Sequence, residues 1–279
     1  KELIISVISN GTCINYAKDL KRIKKINPKI KVLVTGCLSQ TSPDKLSKLK
    51  NVDFIVDNAN KYLIPKVIKE PDNYQNEIVS NIFDIKTFDD NYQNLKEDRS
   101  RAFLKIQDGC NYRCTFCIIP FARGRSRSMK VSEIIQKINE LYSLGFNEVV
   151  LTGIHLSSYG KDLNITLIEL LNIIESDTDM PNIRLSSIDP ADTSIDFIDS
   201  ISESKKICPS FHISLQSATD EILKDMKRRY KINIFDDLIK YIRNKIPYAC
   251  IGTDVITGFP GETNVLFERT FDYIKNSEL

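Results

Sequence analysis

The chain has 279 residues, 42% of them hydrophobic and 27% charged, with a formal net charge of +2. That length suits one large or two medium domains of about 100–200 residues each, and the composition excludes disordered and fibrous classes. Charge near balance gives no whole-molecule argument for a nucleic-acid partner, so local patches must supply one. Short apolar runs and the lack of an apolar leader exclude a spanning helix and predict a cytoplasmic protein without membrane attachment.

The first elements alternate. Leu3 to Ser9 and Ile30 to Thr35 are rich in β-branched residues, with a basic amphipathic stretch from Ala17 to Ile26 between them, which predicts a βαβ unit. Pro28 stops that helix, Asn51 to Val56 predicts another strand, and Tyr62 to Ile68 a further helix. Residues 1–72 therefore read as a small parallel α/β domain. Residues 73–100, rich in Asn, Asp, Gln and Lys, read as a linker with at most one strand near Ile78 to Ile85.

Residues 101–279 form the second predicted domain. Strands are expected at 102–106, 148–151, 183–188, 211–215 and 249–256, and helices at 131–144, 167–174, 195–201, 221–227, 235–244 and 262–274. Ser132 and Gly145 are the expected caps of the first helix. Strands that alternate with helices imply right-handed parallel βαβ connections, hence an α/β fold with an open or closed barrel and a site at the carboxyl ends of its strands.

The chain has seven cysteines, too few for a disulfide scaffold, so their spacing carries the argument. Cys110, Cys114 and Cys117 form C-x3-C-x2-C directly after the strand ending in Lys105-Ile106-Gln107-Asp108-Gly109. Three thiolates on one loop can hold three irons of a cubane and leave the fourth open. The alternatives are a structural zinc site, which usually takes four ligands, and an electron-transfer ferredoxin, which needs a fourth thiolate. Cys208 and Cys250 lie beside predicted strands, fit no ligand pattern, and read as packing residues.

The string GCNYRCTFC followed by IIPFARG resembles the cluster loop of radical S-adenosylmethionine methylthiotransferases. The blocks at 150–153, 158–160, 184–187, 212–217, 253–256 and 258–263 are similar to that family's, in the same order. The resemblance implies a partial (β/α)6 TIM-like barrel. It also implies a catalytic 4Fe-4S cluster on Cys110, Cys114 and Cys117 whose open iron chelates S-adenosylmethionine. Phe116, Thr152, Gly153, Ser187, Gln216, Asp254 and Val255 match positions around that cofactor. Arg127-Ser128-Met129 and Ser217-Ala218-Thr219-Asp220 depart from the family's usual wording.

Cys13 and Cys37 follow the first two predicted strands, which parallel-sheet geometry places on one edge, and on position alone they could equally be small buried residues. The resemblance implies that they are ligands of a second, auxiliary 4Fe-4S cluster, with another ligand upstream of Lys1, in a chain that is a fragment lacking both ends.

The wording at 103–109, 119–124, 153–156 and 184–190 is most similar to the group that acts on N6-threonylcarbamoyladenosine (t6A) of tRNA. Sister groups act on isopentenyladenosine of tRNA or on an aspartate of a ribosomal protein. The resemblance further implies a monomer that takes electrons from a donor such as flavodoxin or ferredoxin. Independently, basic runs at 18–25, 123–130 and 224–231 offer contacts for tRNA phosphates. The first of these reads equally well as a solvated helix face.

Overall fold

The structure is a computed structural model that describes residues 3–7, 13–88, 100–277 and 279. It divides into two compact units. One comprises Lys1–Thr87, Gly109–Asn111 and Ile118–Arg125; the other comprises Phe88–Asp108, Tyr112–Cys117 and Ser126–Leu279. No helix among the described residues is long and apolar enough to cross a membrane.

In the first unit, β1 (Leu3–Val7), β2 (Lys31–Thr35), β3 (Phe54–Val56) and β4 (Glu77–Ile78) form a parallel sheet in sequence order. Around it lie α1 (Cys13–Ile26), α2 (Cys37–Thr41), α3 (Pro43–Ser47) and α4 (Ile64–Lys69). Successive residues of β2 point to opposite faces, and both faces are covered. Val32 and Val34 pack with Leu20, Leu46 and Ile55, whereas Leu33 packs with Phe54, Val56 and Val67. That two-sided burial explains why these strands are continuously apolar. Residues 74–87, within the stretch read as a linker, supply β4 and a 3-10 turn at Ile82–Asp84.

In the second unit, β5 (Ala102–Asp108), β7 (Glu148–Gly153) and β8 (Asn182–Leu185) run parallel, and β6 (Arg127–Ser128) adds antiparallel to β5. β9 (Ser210–His212) and β10 (Cys250–Gly252) pair in parallel. The Ile188↔Ile213 bridge continues the arc from β8 to β9. This is the parallel α/β arrangement expected of an open barrel. The ladders of β9 and β10 stop short of the predicted 215 and 256 because the Thr253 hydroxyl takes the next ladder positions, donating to the Ile213 carbonyl (2.6 Å) and accepting from Leu215 N–H (3.1 Å), before a Gln216–Val255 bridge resumes the pairing.

A further helix, α5 (Ile119–Arg123), belongs to the first unit, and those of the second are α6 (Val131–Ser143), α7 (Leu167–Asp177), α8 (Ile195–Glu203), α9 (Asp220–Asp225), α10 (Ile232–Lys245) and α11 (Asn264–Asn276). Their apolar positions recur at helical spacing: Ile134, Ile138 and Leu141 on α6, Phe235, Leu238, Ile239 and Ile242 on α10. The α6 cap departs from expectation. Met129 N–H still bonds the Ile106 carbonyl, so the chain arrives extended and Lys130 is the N-cap, which places Ser132 inside the first turn. Gly145 does follow the helix, at φ 89°.

Candidate active site

The loop that follows β5 begins where the strand's buried polar end is tightly held. The Gln107 side chain is fully buried; its Nε2 donates to the Asp108 carbonyl (3.1 Å) and to Ser126 Oγ (2.9 Å), and its Oε1 accepts from His155 N–H (2.8 Å). Asp108 forms an ion pair with Arg127 Nη2 at 3.2 Å, both side chains buried. Arg127 is therefore unavailable to RNA phosphates, which corrects the reading of the run at 123–130. Arg125 and Lys130 in that run are exposed.

Cys110 N–H bonds the Gly124 carbonyl at 3.0 Å. Farther along the loop, Cys117 N–H closes a turn onto the Cys114 carbonyl at 3.0 Å. Thr115 ties this turn to the end of α9, its N–H bonding the Met226 carbonyl (3.2 Å) and its Oγ1 the Asp225 carbonyl (2.9 Å). Cys110, Cys114 and Cys117 are all partly exposed, and Phe116 between the last two is 40% exposed. Thiolates on a single loop are the donor chemistry that iron-sulfur clusters take, so the residues fit such a group. Among the described residues, no three His, Cys, Asp or Glu side chains converge on a single-ion site.

Tyr112, inside the loop, packs its ring 4.6 Å from that of His155 and under the Arg229 guanidinium at 4.4 Å. Its hydroxyl donates to Asp192. Burial and that carboxylate push the phenol up to about 12, so it stays a donor at neutral pH. Burial alone would raise the Asp192 carboxyl, but hydrogen bonds from His155, Tyr112 and Lys161 outweigh it and hold the group well below the usual carboxylate range. Arg228 reaches the same loop. Its Nη2 pairs with Asp189 Oδ2 at 2.5 Å and its Nη1 donates to Cys114 Sγ at 3.5 Å. Sequence reasoning missed Asp189, Asp192, His155 and this use of Arg228, which removes Arg228 from the basic run at 224–231. Lys224, Lys227, Arg229 and Lys231 remain exposed there.

The other sequence-predicted positions lie at strand ends. Thr152 and Gly153 end β7, and a Cβ on Gly153 would lie 2.9 Å from Gln107 Oε1. Ser187 Oγ and His212 Nδ1 share a 2.7 Å hydrogen bond, and His212 Nε2 lies 3.5 Å from Asp254 Oδ2. Gln216 bridges to Val255, its N–H bonding the Asp254 carbonyl at 2.8 Å. The structure thus joins Ser187, Gln216, Asp254 and Val255 through the ends of neighbouring strands, with His212 as a link that the sequence reading left out. Its signal in the sequence was its place at the head of the block at 212–217.

In the first unit, Cys37 is the first residue of α2, which packs against α5. Asn58 Nδ2 lies 3.9 Å from Cys37 Sγ and bonds the Ala122 carbonyl at 2.7 Å. Nearby Asp57, fully buried, accepts from Asn60 N–H (2.8 Å) and Ser80 N–H (2.5 Å). Cys13 opens α1, and its side chain lies outside the described residues.

Residues 104–274 match the Radical SAM superfamily. The chain is 38% identical over 257 residues to the threonylcarbamoyladenosine tRNA methylthiotransferase MtaB of Aquifex aeolicus, covering 90% of this chain and 62% of that protein. It is 35% identical over 289 residues to the tRNA-2-methylthio-N(6)-dimethylallyladenosine synthase of Clostridium novyi, covering 98% and 63%. The chain thus spans about three-fifths of the length of these relatives. Its fold is similar to the radical S-adenosylmethionine methyltransferase TsrM of Kitasatospora setae, with TM-score 0.73 at 13% identity over 98% of this chain and 60% of that one. The cobalamin-dependent radical enzyme OxsB gives 0.64 at 10% identity, over 98% and 43%. The superfamily match implies a 4Fe-4S cluster and S-adenosylmethionine, and it spans the thiol loop, the strand-end polar groups and the parallel strands that carry them: the chain belongs to the radical SAM superfamily.

Proposed function

We propose that this chain performs methylthio transfer to C2 of t6A next to the anticodon of tRNA. The observation that carries the reading is the three-thiol loop at the end of β5, inside a chain 38% identical over nine-tenths of its length to a protein of that name. In this reading Cys110, Cys114 and Cys117 hold the catalytic 4Fe-4S cluster. Such a cluster, once bound with S-adenosylmethionine, would supply the one-electron chemistry by which hydrogen is removed from the substrate. Phe116, Thr152, Gly153, Ser187, Gln216, Asp254 and Val255 line the cofactor.

The residues of the chain itself bind, orient and exclude water. The bonds from Tyr112 and Thr115 fix the loop, and the Ser187, His212 and Asp254 side chains fix one strand end to the next. Cys13 and Cys37 would contribute ligands to an auxiliary 4Fe-4S cluster, whose chemistry when bound would be to supply the sulfur. Exposed Arg125, Lys130, Lys224, Lys227, Arg229 and Lys231 meet tRNA phosphates, so binding weakens as salt rises. The protein works as a cytoplasmic monomer reduced by a low-potential donor such as flavodoxin or ferredoxin.

Relatives named for dimethylallyladenosine are only slightly less similar, at 35% identity. The discriminating experiment is mass spectrometry of tRNA nucleosides from a deletion strain. Loss of the 2-methylthio form of t6A is the expected result, whereas loss of the dimethylallyl form alone assigns the chain to the sister activity. Anaerobic reconstitution followed by iron and sulfide analysis tests the cluster directly; zinc without sulfide would overturn the reading.

A further inference from the structure

We propose that Arg228 is a positioning residue that acts through Cys114 to raise the reduction potential of the cluster on the loop. The inference rests on the assignment of Cys110, Cys114 and Cys117 as cluster ligands and goes beyond it, because nothing in that assignment requires a cation at one sulfur.

The placement starts with the backbone. Helix α9 ends early, and Lys227 takes the left-handed conformation at φ 56° while Arg228 N–H bonds back to the Leu223 carbonyl at 2.9 Å. This C-terminal turn is the kind that usually uses glycine. The reversal aims the Arg228 side chain at the loop whose Thr115 is already bonded to the Asp225 and Met226 carbonyls. The guanidinium is then held on two sides. Asp189 pairs with it at 2.5 Å, both side chains 8% exposed, and the Tyr230 ring lies 5.0 Å away. That ring is fixed by bonds from its hydroxyl to the Ser214 (2.7 Å) and Leu215 (2.6 Å) carbonyls.

An ion pair with Asp189 alone would satisfy the charge without reaching a cysteine. Instead the guanidinium fork divides its donors, Nη2 to the carboxylate and Nη1 to Cys114 Sγ at 3.5 Å. A cation that donates to a ligand sulfur withdraws electron density from the thiolate and stabilises the extra negative charge of the one-electron-reduced cluster; such hydrogen bonds and net charge are among the factors that set iron-sulfur potentials. Burial sharpens the effect because solvent screens little there. Asp189 works in the opposite direction on charge while it fixes the geometry.

The test is a dithionite titration, followed by electron paramagnetic resonance, of the anaerobically reconstituted protein. In Arg228→Gln the midpoint should fall so that the reduced-to-oxidised ratio at fixed poise drops about tenfold, equivalent to about 59 mV for one electron. Arg228→Lys, which keeps the charge but loses the fork, should fall between wild type and Arg228→Gln. Asp189→Asn, which removes the opposing charge, should shift the midpoint upward. An unchanged midpoint in Arg228→Gln with full iron and sulfide overturns the proposal. If that variant does not take up iron, unchanged midpoints in both Arg228→Lys and Asp189→Asn overturn it. A purely structural role would lower the melting temperature of these variants and leave the midpoint in place. Full cluster content in Cys114→Ala would instead refute the ligand assignment, a separate outcome.

Discussion

Cys114→Ala is expected to abolish S-adenosylmethionine cleavage and all product formation, and to remove the iron and sulfide of the loop cluster after anaerobic reconstitution. A 4Fe-4S cluster that must leave one iron open for S-adenosylmethionine cannot spare one of its three thiolates. The fold should survive. Cys114 lies on a loop, its thiol is part-exposed, and the side-chain bond lost is the one from Arg228, which retains Asp189. A loss of about 1–3 kcal/mol is expected from one such hydrogen bond to a buried cation, read as a shift in denaturant midpoint. Cys37→Ala provides the contrast: it should leave cleavage of S-adenosylmethionine intact and stop methylthio transfer, because Cys37 lies on α2, apart from the loop in sequence. Retained cleavage in Cys114→Ala would refute the catalytic assignment.

The contrast between those two cysteines mirrors what the sequence reveals and what it hides. The α/β class is legible because strands buried on both faces are continuously apolar, as at Val32, Leu33 and Val34, and because α6 and α10 repeat apolar residues at helical spacing. The thiol spacing is legible because a ligand loop is a local object. The partners of that loop are not local. Tyr112 meets Asp192 across 80 positions, and Arg228 meets Cys114 across 114 and Asp189 across 39. No periodicity encodes such pairs, so basic residues that look solvated in the sequence, Arg127 and Arg228, turn out to be buried ion-pair members. Element ends fail for a related reason. Ser132 is a good capping residue, but the continuation of the β6 ladder by Met129 decides where α6 begins, and the Thr253 hydroxyl, set between the Ile213 carbonyl and Leu215 N–H, decides where the ladder of β9 is interrupted.

The same tight local geometry makes Gly109 the position where the smallest addition should do the most damage. Its φ is 72°, and an added Cβ would lie 2.0 Å from the Arg125 carbonyl oxygen, 2.6 Å from its carbon and 2.8 Å from the Gly124 oxygen. All three are backbone atoms, so no side-chain rotation relieves the contact, and the two segments must separate. Separation breaks the bond from Cys110 N–H to the Gly124 carbonyl and displaces Cys110. The left-handed conformation costs about 1–2 kcal/mol for an alanine, and the broken hydrogen bond about 1 kcal/mol more. Gly109→Ala should therefore lose about 3 kcal/mol of stability together with most of its iron. Gly145→Ala is the internal control. Its φ is 89°, but nothing lies within 4 Å of its added Cβ, so it should lose only the conformational share, about 1–2 kcal/mol, and keep a full cluster. Equal losses of stability and iron in the two variants would show that backbone conformation alone, and not the close approach of residues 124–125, holds Cys110 in place.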